Sequence, residues 1–252
     1  MLPQERYRKI VEYLQNHDII KIDQMTEMFD VSVETVRRDL TFLAQEGVIR
    51  KVYGGAALIR SEAREAASAE RMKHALDEKV AIAQKCVEFI EDGDWVLLGV
   101  GTTTLQVARA LKARKDLTII SSSIHIIAEL LDTDFDLYMI GGKIRAEEGS
   151  VSGALSLLEL DNLRIGKAII GTGGITVTNG LSDYNMEEAL LRRKAVEQSD
   201  EVIVVADHSK FGKDVLTKVC PIDDVSLIIT DRGLPHEEME ELRRAGVRFV
   251  LA

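Results

Sequence analysis

"SVETVRRDL", residues 32–40, decides how the front of this chain folds. At 100° per residue, Val36, Leu40 and Leu43 cluster with Val33 beside them, an apolar stripe that predicts the buried face of a helix. Glu34, Arg38 and Thr41 lie opposite, flanked by Thr35 and Arg37, so the polar face carries two guanidinium groups near the helix N-terminus. Ser32 is a suitable N-cap, because its hydroxyl can accept from a first-turn N–H that has no partner within the helix. The helix is expected to reach about residue 46 and to stop at Gly47, a residue at home just beyond a helix end.

The neighbouring residues complete the unit. A turn, "DVS" at 30–32, follows a short helix expected over about 22–29, with Ile22, Met25 and Phe29 on one side. Before it, "PQERYRKIVEYLQNH" sets Tyr7, Ile10, Val11 and Leu14 at helical spacing. After the third helix, "VIRKVYGG" alternates Val48, Arg50 and Val52 with Ile49, Lys51 and Tyr53 and ends in two glycines, which reads as a small hairpin. Residues 1–57 are therefore expected to form a winged helix-turn-helix, mainly α with a small β wing. Such a unit puts the N-terminal end of its last helix into the major groove. Arginine there pairs bidentately with guanine O6 and N7 or grips a phosphate. The candidate contacts to a double-stranded DNA operator are Ser32, Glu34, Thr35, Arg37, Arg38 and Thr41 on the helix, with Arg50 and Lys51 on the wing. Arg6 and Lys9 are candidates for backbone contacts, and Asp39 is expected to pair with a neighbouring arginine and orient it.

The formal net charge of −10 does not oppose this reading. Residues 1–60 hold nine of the 32 basic and nine of the 42 acidic side chains, so the acidic excess, 33 against 23, lies entirely in the rest. An acidic protein can still present a local basic face. The two cysteines, Cys86 and Cys220, stand far apart without a CxxC, which fits a reduced, cytoplasmic compartment rather than a disulfide framework. The polar start is not that of a signal peptide, and the longest apolar runs are strand length, so no membrane association is expected.

Residues 58–77, rich in Ala, Glu and Arg, read as a partly helical linker. From 78 to 252 the pattern changes. Seven apolar runs, "WVLLGV" (95–100), "LTIIS" (117–121), "DLYMI" (136–140), "KAIIG" (167–171), "EVIVVA" (201–206), "SLIIT" (226–230) and "VRFVL" (247–251), alternate with helical patterns at 103–113, 123–131, 186–198 and 235–245. That is the signature of an α/β domain with a mostly parallel sheet covered on both faces. Ligands of such sheets bind at the carboxyl ends of the strands. The residues expected there are Gly101, Thr102, Thr103 and Thr104 in a strand–turn–helix suited to an anion; Ser121 and Ser122; Gly141, Gly142, Lys143 and Arg145; Gly171 and Gly173; and Lys210. Hydroxyls and cations in five loops suggest a phosphorylated sugar or polyol. The five histidines are scattered, His208 has no second histidine at ligand spacing, and neither a metal nor another cofactor is expected.

"FDVSVETVRRDLTFLAQEGVIRKVYGGA" (29–56) resembles the winged helix-turn-helix signature of the DeoR family of bacterial transcriptional regulators: the S-x-x-T-[IV]-R-R-D-L core, the L-x-x-x-G turn and the G-G-A of the wing stand in order. Arg71, "EKVAIA" (78–83), "GDWVLLGVGTTT" (93–104), "GLSDYNMEEALLRR" (180–193) and "ADHSKFG" (206–212) resemble that family's effector domain. The resemblance implies a repressor, usually of sugar or polyol catabolism genes, released by a phosphorylated metabolite. The effector domain is also similar to ribose-5-phosphate isomerase, which makes a DNA-binding domain fused to an active isomerase the alternative. The chain departs from the regulators at Gly99 and Asn185, where they carry Asp. It departs from the isomerases where "GTGG" replaces an acidic pair and Arg192 falls at the position of the base glutamate. A guanidinium stays protonated and cannot abstract a proton. Glu187 and Glu188 lie one turn away, and with Asp183 they are expected to bind effector hydroxyls or hold the fold. Sensor domains that assemble into a dimer or tetramer would set the spacing of two DNA-reading helices.

Overall fold

The computed structural model describes residues 3–17, 19–45, 49–52, 54–58 and 67–252. They belong to two units, 1–64 and 65–252. The first contains α1 (Pro3–Asn16), β1 (Ile20–Lys21), α2 (Ile22–Phe29), α3 (Val33–Gln45), β2 (Ile49–Val52) and β3 (Gly55–Leu58). Asp30, with left-handed φ 50° and ψ 55°, closes α2 by donating its N–H to the Thr26 carbonyl, which makes the sharp turn into α3. The expected hairpin is β2–β3, and the two-residue strand β1, invisible to periodicity, adds to its far side through Ile20 and Ala56. Gly47, Val48 and Tyr53 lie outside the described residues.

Ile10, Leu14, Met25, Phe29, Val36, Leu40, Leu43 and Ile49 are buried together in this unit. Val33 departs from the expected face: it is 42% exposed, since the first residue of α3 sits at the margin of the stripe. Phe42 is exposed as well, and its ring stacks on Tyr7 with centroids 4.8 Å apart. The partner of Asp39 also differs from expectation. Its carboxylate takes two hydrogen bonds from Arg6 of α1, from Nε at 2.7 Å and from an Nη at 3.1 Å, and both side chains are buried. The pair therefore clamps α3 to α1, and Arg6 is spent inside the unit rather than on a DNA backbone.

The second unit runs α4 (Ser68–Lys73), α5 (Leu76–Val87), β4 (Trp95–Leu98), α6 (Thr102–Leu111), β5 (Thr118–Ser121), α7 (Ile124–Leu130), β6 (Asp136–Met139), β7 (Lys143–Arg145), β8 (Ser150–Ser152), α8 (Ala154–Asp161), β9 (Ile165–Ile170), β10 (Gly174–Thr176), β11 (Gly180–Asp183), α9 (Met186–Glu197), β12 (Ser199–Val205), β13 (Thr217–Cys220), β14 (Leu227–Thr230), α10 (His236–Arg244) and β15 (Phe249–Leu251). All seven apolar runs become strands of one parallel sheet, in the order β15-β14-β12-β9-β4-β5-β6. Alternate residues feed two cores. Val96, Leu98, Ile169, Ile203 and Val205 pack with residues of α5, α6 and α7. Leu97, Ala168, Ile170, Val202 and Val204 pack with residues of α8, α9 and α10. A strand buried on both sides reads as an unbroken apolar run, which is why these were legible.

Three pieces were not expected: α8, the hairpin β7–β8, and a small antiparallel sheet β10–β11–β13. The stretch read as linker also differs from expectation in its second half. From residue 68 it is helical, as expected, but folded onto the α/β unit, where Met72 packs against the core. Burial pushes the Cys86 and Cys220 thiols up to about 12. Among the described residues no helix is long and apolar enough to cross a membrane.

Candidate functional site

On α3 the cap forms as its sequence dictates: Ser32 Oγ accepts from the Thr35 N–H at 3.2 Å and lies 3.0 Å from the Thr35 hydroxyl. Glu34 and Arg38 are exposed on the face opposite Val36 and Leu40, Arg37 is exposed at its flank, and Thr35 is half-buried. Thr41 has a second duty. Its hydroxyl donates to the Arg37 carbonyl at 2.7 Å and accepts from Lys51 Nζ at 2.7 Å, which ties the wing to the helix. The side chain of Arg50 lies outside the described residues. Helix N-terminus, two exposed guanidinium groups and the Lys51 ammonium thus share one small surface, the arrangement a major groove calls for.

The carboxyl ends of the parallel strands bring the other candidates to one edge of the sheet. Gly101 and Thr102 open α6 after β4, and the Thr102 and Thr103 side chains are almost wholly buried. Thr104 turns its hydroxyl back to the Gly101 carbonyl at 2.9 Å. Ser121 donates to the Leu98 carbonyl at 2.7 Å, and the Ser122 carbonyl accepts from Val151, so both stitch β5 to its neighbours. After β6, the Gly141 N–H donates to Glu159 at 2.8 Å and its carbonyl accepts from Ser156 at 2.6 Å. Gly142 has φ +144°, and a Cβ there would stand 2.4 Å from Ser156 Oγ and 2.6 Å from the Ser152 carbonyl, so glycine is required for packing alone. Gly171 and Gly173 follow β9, and the Gly173 N–H donates to the Ser182 carbonyl in the small sheet.

The charged candidates arrive already matched. Lys143 pairs with Glu187 at 3.2 Å, and Arg145 pairs with the buried Glu188 at 3.1 Å. Ser150 also donates to Glu188, and Ser152 to Glu187. Asp183 is buried against Arg192, which also donates to the Val100 carbonyl at 2.8 Å. Lys210 ends a short helical turn, His208–Lys210, after β12. Beside it, burial raises the Asp207 carboxyl, but donors from Ser209 and the charges of Lys210 and Lys79 outweigh that and hold it below its ordinary value. Lys79 is itself buried, which lowers its ammonium below the usual lysine range against the pull of Asp207.

Two family descriptions match the two units in register: the DeoR-like helix-turn-helix domain over residues 6–62 and the DeoR C terminal sensor domain over residues 74–232. This chain belongs to the DeoR family of transcriptional regulators. Among its relatives, the transcriptional repressor AccR of Agrobacterium fabrum is 38% identical over 254 residues, 99% of this chain and 97% of its own. The HTH-type transcriptional regulator IolR of Bacillus subtilis is 35% identical over 92% of both chains. The putative aga operon transcriptional repressor of Escherichia coli O157:H7 is 31% identical over 98% of this chain and 93% of its own. A solved ribose 5-phosphate isomerase A from Methanocaldococcus jannaschii aligns with 54% of this chain and 55% of its own at TM-score 0.42 and 19% identity.

In this DeoR-family regulator, sequence reading missed several residues at the strand edge. Arg71 and Lys79 lie in stretches that carry the family resemblance, but neither was expected among the residues at the strand edge. Lys79 had left a signal: with Ile82, Ala83, Cys86 and Ile90 it occupies the buried stripe of α5 and its continuation, where a lysine is out of place unless it is bonded. Ser123, which caps α7 by accepting from the Ile126 N–H, closes the serine run 121–123 after β5 but was not named as a ligand contact, and no local pattern marked His125.

Proposed function

We propose that this regulator is a cytoplasmic repressor of carbohydrate catabolism genes, that it binds its operator as a homo-oligomer, and that a phosphorylated sugar or polyol releases it. The observation that carries the DNA half is the pair of exposed guanidinium groups, Arg37 and Arg38, on the N-terminal half of a capped recognition helix. The effector half is supported by the edge where Thr102, the pair Lys143 and Arg145, and Lys210 follow the ends of three parallel strands, β4, β6 and β12. An anionic ligand there competes with Glu187 and Glu188 for the cations, so binding rearranges ion pairs that now join the β7–β8 hairpin to α9. For the ligand to release DNA it must prefer the rearranged state; equal affinity for both states shifts nothing.

The role is sensing rather than catalysis. Isomerisation of a sugar phosphate needs a free carboxylate base. Asp183, Glu187 and Glu188, the carboxylates that could replace that base, are instead engaged: Asp183 by Arg192, Glu187 by Lys143 and Ser152, Glu188 by Arg145 and Ser150. A thermal-shift screen with a panel of sugar phosphates, run beside an isomerase assay, tests this. A stabilising ligand without turnover is expected, and turnover would replace the sensor with an enzyme. In the same screen Lys210→Ala is expected to weaken the best ligand roughly tenfold or more, the loss of one charge-assisted hydrogen bond, with operator affinity unchanged. Response at wild-type ligand concentrations would remove Lys210 from the site.

A further inference from the structure

The Gly101–Thr102 turn, the most anion-suited element of the edge, is closed. Ser68 and Met72 of α4 lie across it, opposite His125 and Glu148, and leave a cavity of about 10 Å³. That is room for about one water, and no sugar phosphate reaches the turn while α4 stays there. The helix covering the turn is also the piece of chain that leads back, through residues 59–66, to the DNA-binding unit.

Two polar anchors hold α4 down. Arg71 pairs with Glu148, whose side chain is buried in the turn between β7 and β8. Lys79 Nζ donates to the Arg71 and His74 carbonyls, each at 2.6 Å, so a buried ammonium gathers the C-terminal carbonyls of α4. Between α4 and α5 stands Ala75 at φ 51° and ψ 44°, a left-handed conformation that an alanine adopts only under constraint. The hinge is strained, and the anchors keep it so. The anchor at Glu148 sits on the hairpin that carries Lys143, Arg145 and Ser150, the residues bonded to Glu187 and Glu188. A ligand that rearranges those pairs acts on the same hairpin.

We infer that α4 is a latched lid: in the ligand-free protein the Arg71–Glu148 ion pair holds it over the Gly101–Thr102 turn, and opening it lowers the affinity for DNA. This rests on the operator-binding reading above and adds its regulation. A lid that must open for the ligand to enter makes ligand binding and the latched state mutually exclusive, which supplies the difference in affinity a switch needs. Ala75 favours opening, because release of either anchor lets its backbone relax.

The test uses the full-length protein without ligand. Hydrogen exchange of the α4 amides and binding to a labelled duplex from upstream of its own coding region are measured for wild type, Arg71→Ala, Glu148→Gln and Arg71→Lys. Arg71→Ala and Glu148→Gln are expected to speed α4 exchange at least tenfold and to weaken DNA binding at least tenfold, with exchange in β4, β9 and β12 unchanged. Arg71→Lys keeps a cation beside Glu148 and is expected to fall between them and wild type. The inference is overturned if α4 exchange ignores these substitutions, or if it rises while DNA affinity stays put. A wild-type protein that ignores the duplex counts against the operator reading instead, and the exchange result still decides whether the lid is latched.

Discussion

Replacing Asp39 by alanine is expected to unfold much of the DNA-binding unit while the sensor unit stays folded. The substitution removes the carboxylate that takes two hydrogen bonds from the buried Arg6 guanidinium. Removing one partner of a buried pair costs about 3–5 kcal/mol; in a unit this small the lower figure, roughly 3 kcal/mol, is appropriate, because water is never far away. A single small core of this kind is held by only about 3–5 kcal/mol in total, so the loss is comparable with the whole. Exchange of peptides from residues 5–44 should collapse to unprotected rates, while the fluorescence of Trp95, the single tryptophan, should keep its wild-type transition. The double substitution Arg6→Met with Asp39→Leu should recover most of the stability, since it removes both charges of the pair rather than one. Native-like protection in Asp39→Ala would show that the pair is ornamental.

The second large effect is on operator binding. Arg37→Ala and Arg38→Ala should each cost roughly 1–3 kcal/mol for every base left unread, and a symmetric dimer suffers each loss twice. The two arginines need not act alike. Arg38 points directly away from Leu40 and the core, and its removal is expected to relax discrimination at one operator position in each half-site. Arg37 lies at the flank. If it grips a phosphate, its removal weakens all sequences together and reduces the salt dependence by about one charge. Titrations of the operator and of point-substituted operators at two salt concentrations separate these outcomes. Unchanged affinity in both variants would end the assignment of α3 as the reading helix.

The parts of this molecule that announced themselves were those where one residue pattern serves one purpose. The stripe of Val36, Leu40 and Leu43 gave α3, and the buried strands gave the order of the α/β unit. What stayed hidden depends on distant partners. Nothing near Asp39 points to Arg6, 33 residues earlier. The β7–β8 hairpin is only three residues a side, too short for alternation to register. The strand-edge candidates were found by position, but not that Ser121 and Thr104 spend their hydroxyls on the backbone or that Asp183 faces Arg192. Alanine, glutamate and arginine in residues 58–77 read as a linker because composition does not show that α4 folds back and packs Met72 against the α/β core.

The hydrogen bonds through Thr41 bear on how such a regulator can change its target. Because one hydroxyl joins the backbone of Arg37 to the Lys51 ammonium, a mutation at position 41 that alters base preference also unseats the cation on the wing. If Thr41 reads a base and Lys51 grips the duplex, sequence choice and overall grip are inherited together here. A paralogue that drifts toward a new operator through this residue passes through a weak-binding ancestor, unless a second mutation on the wing comes first.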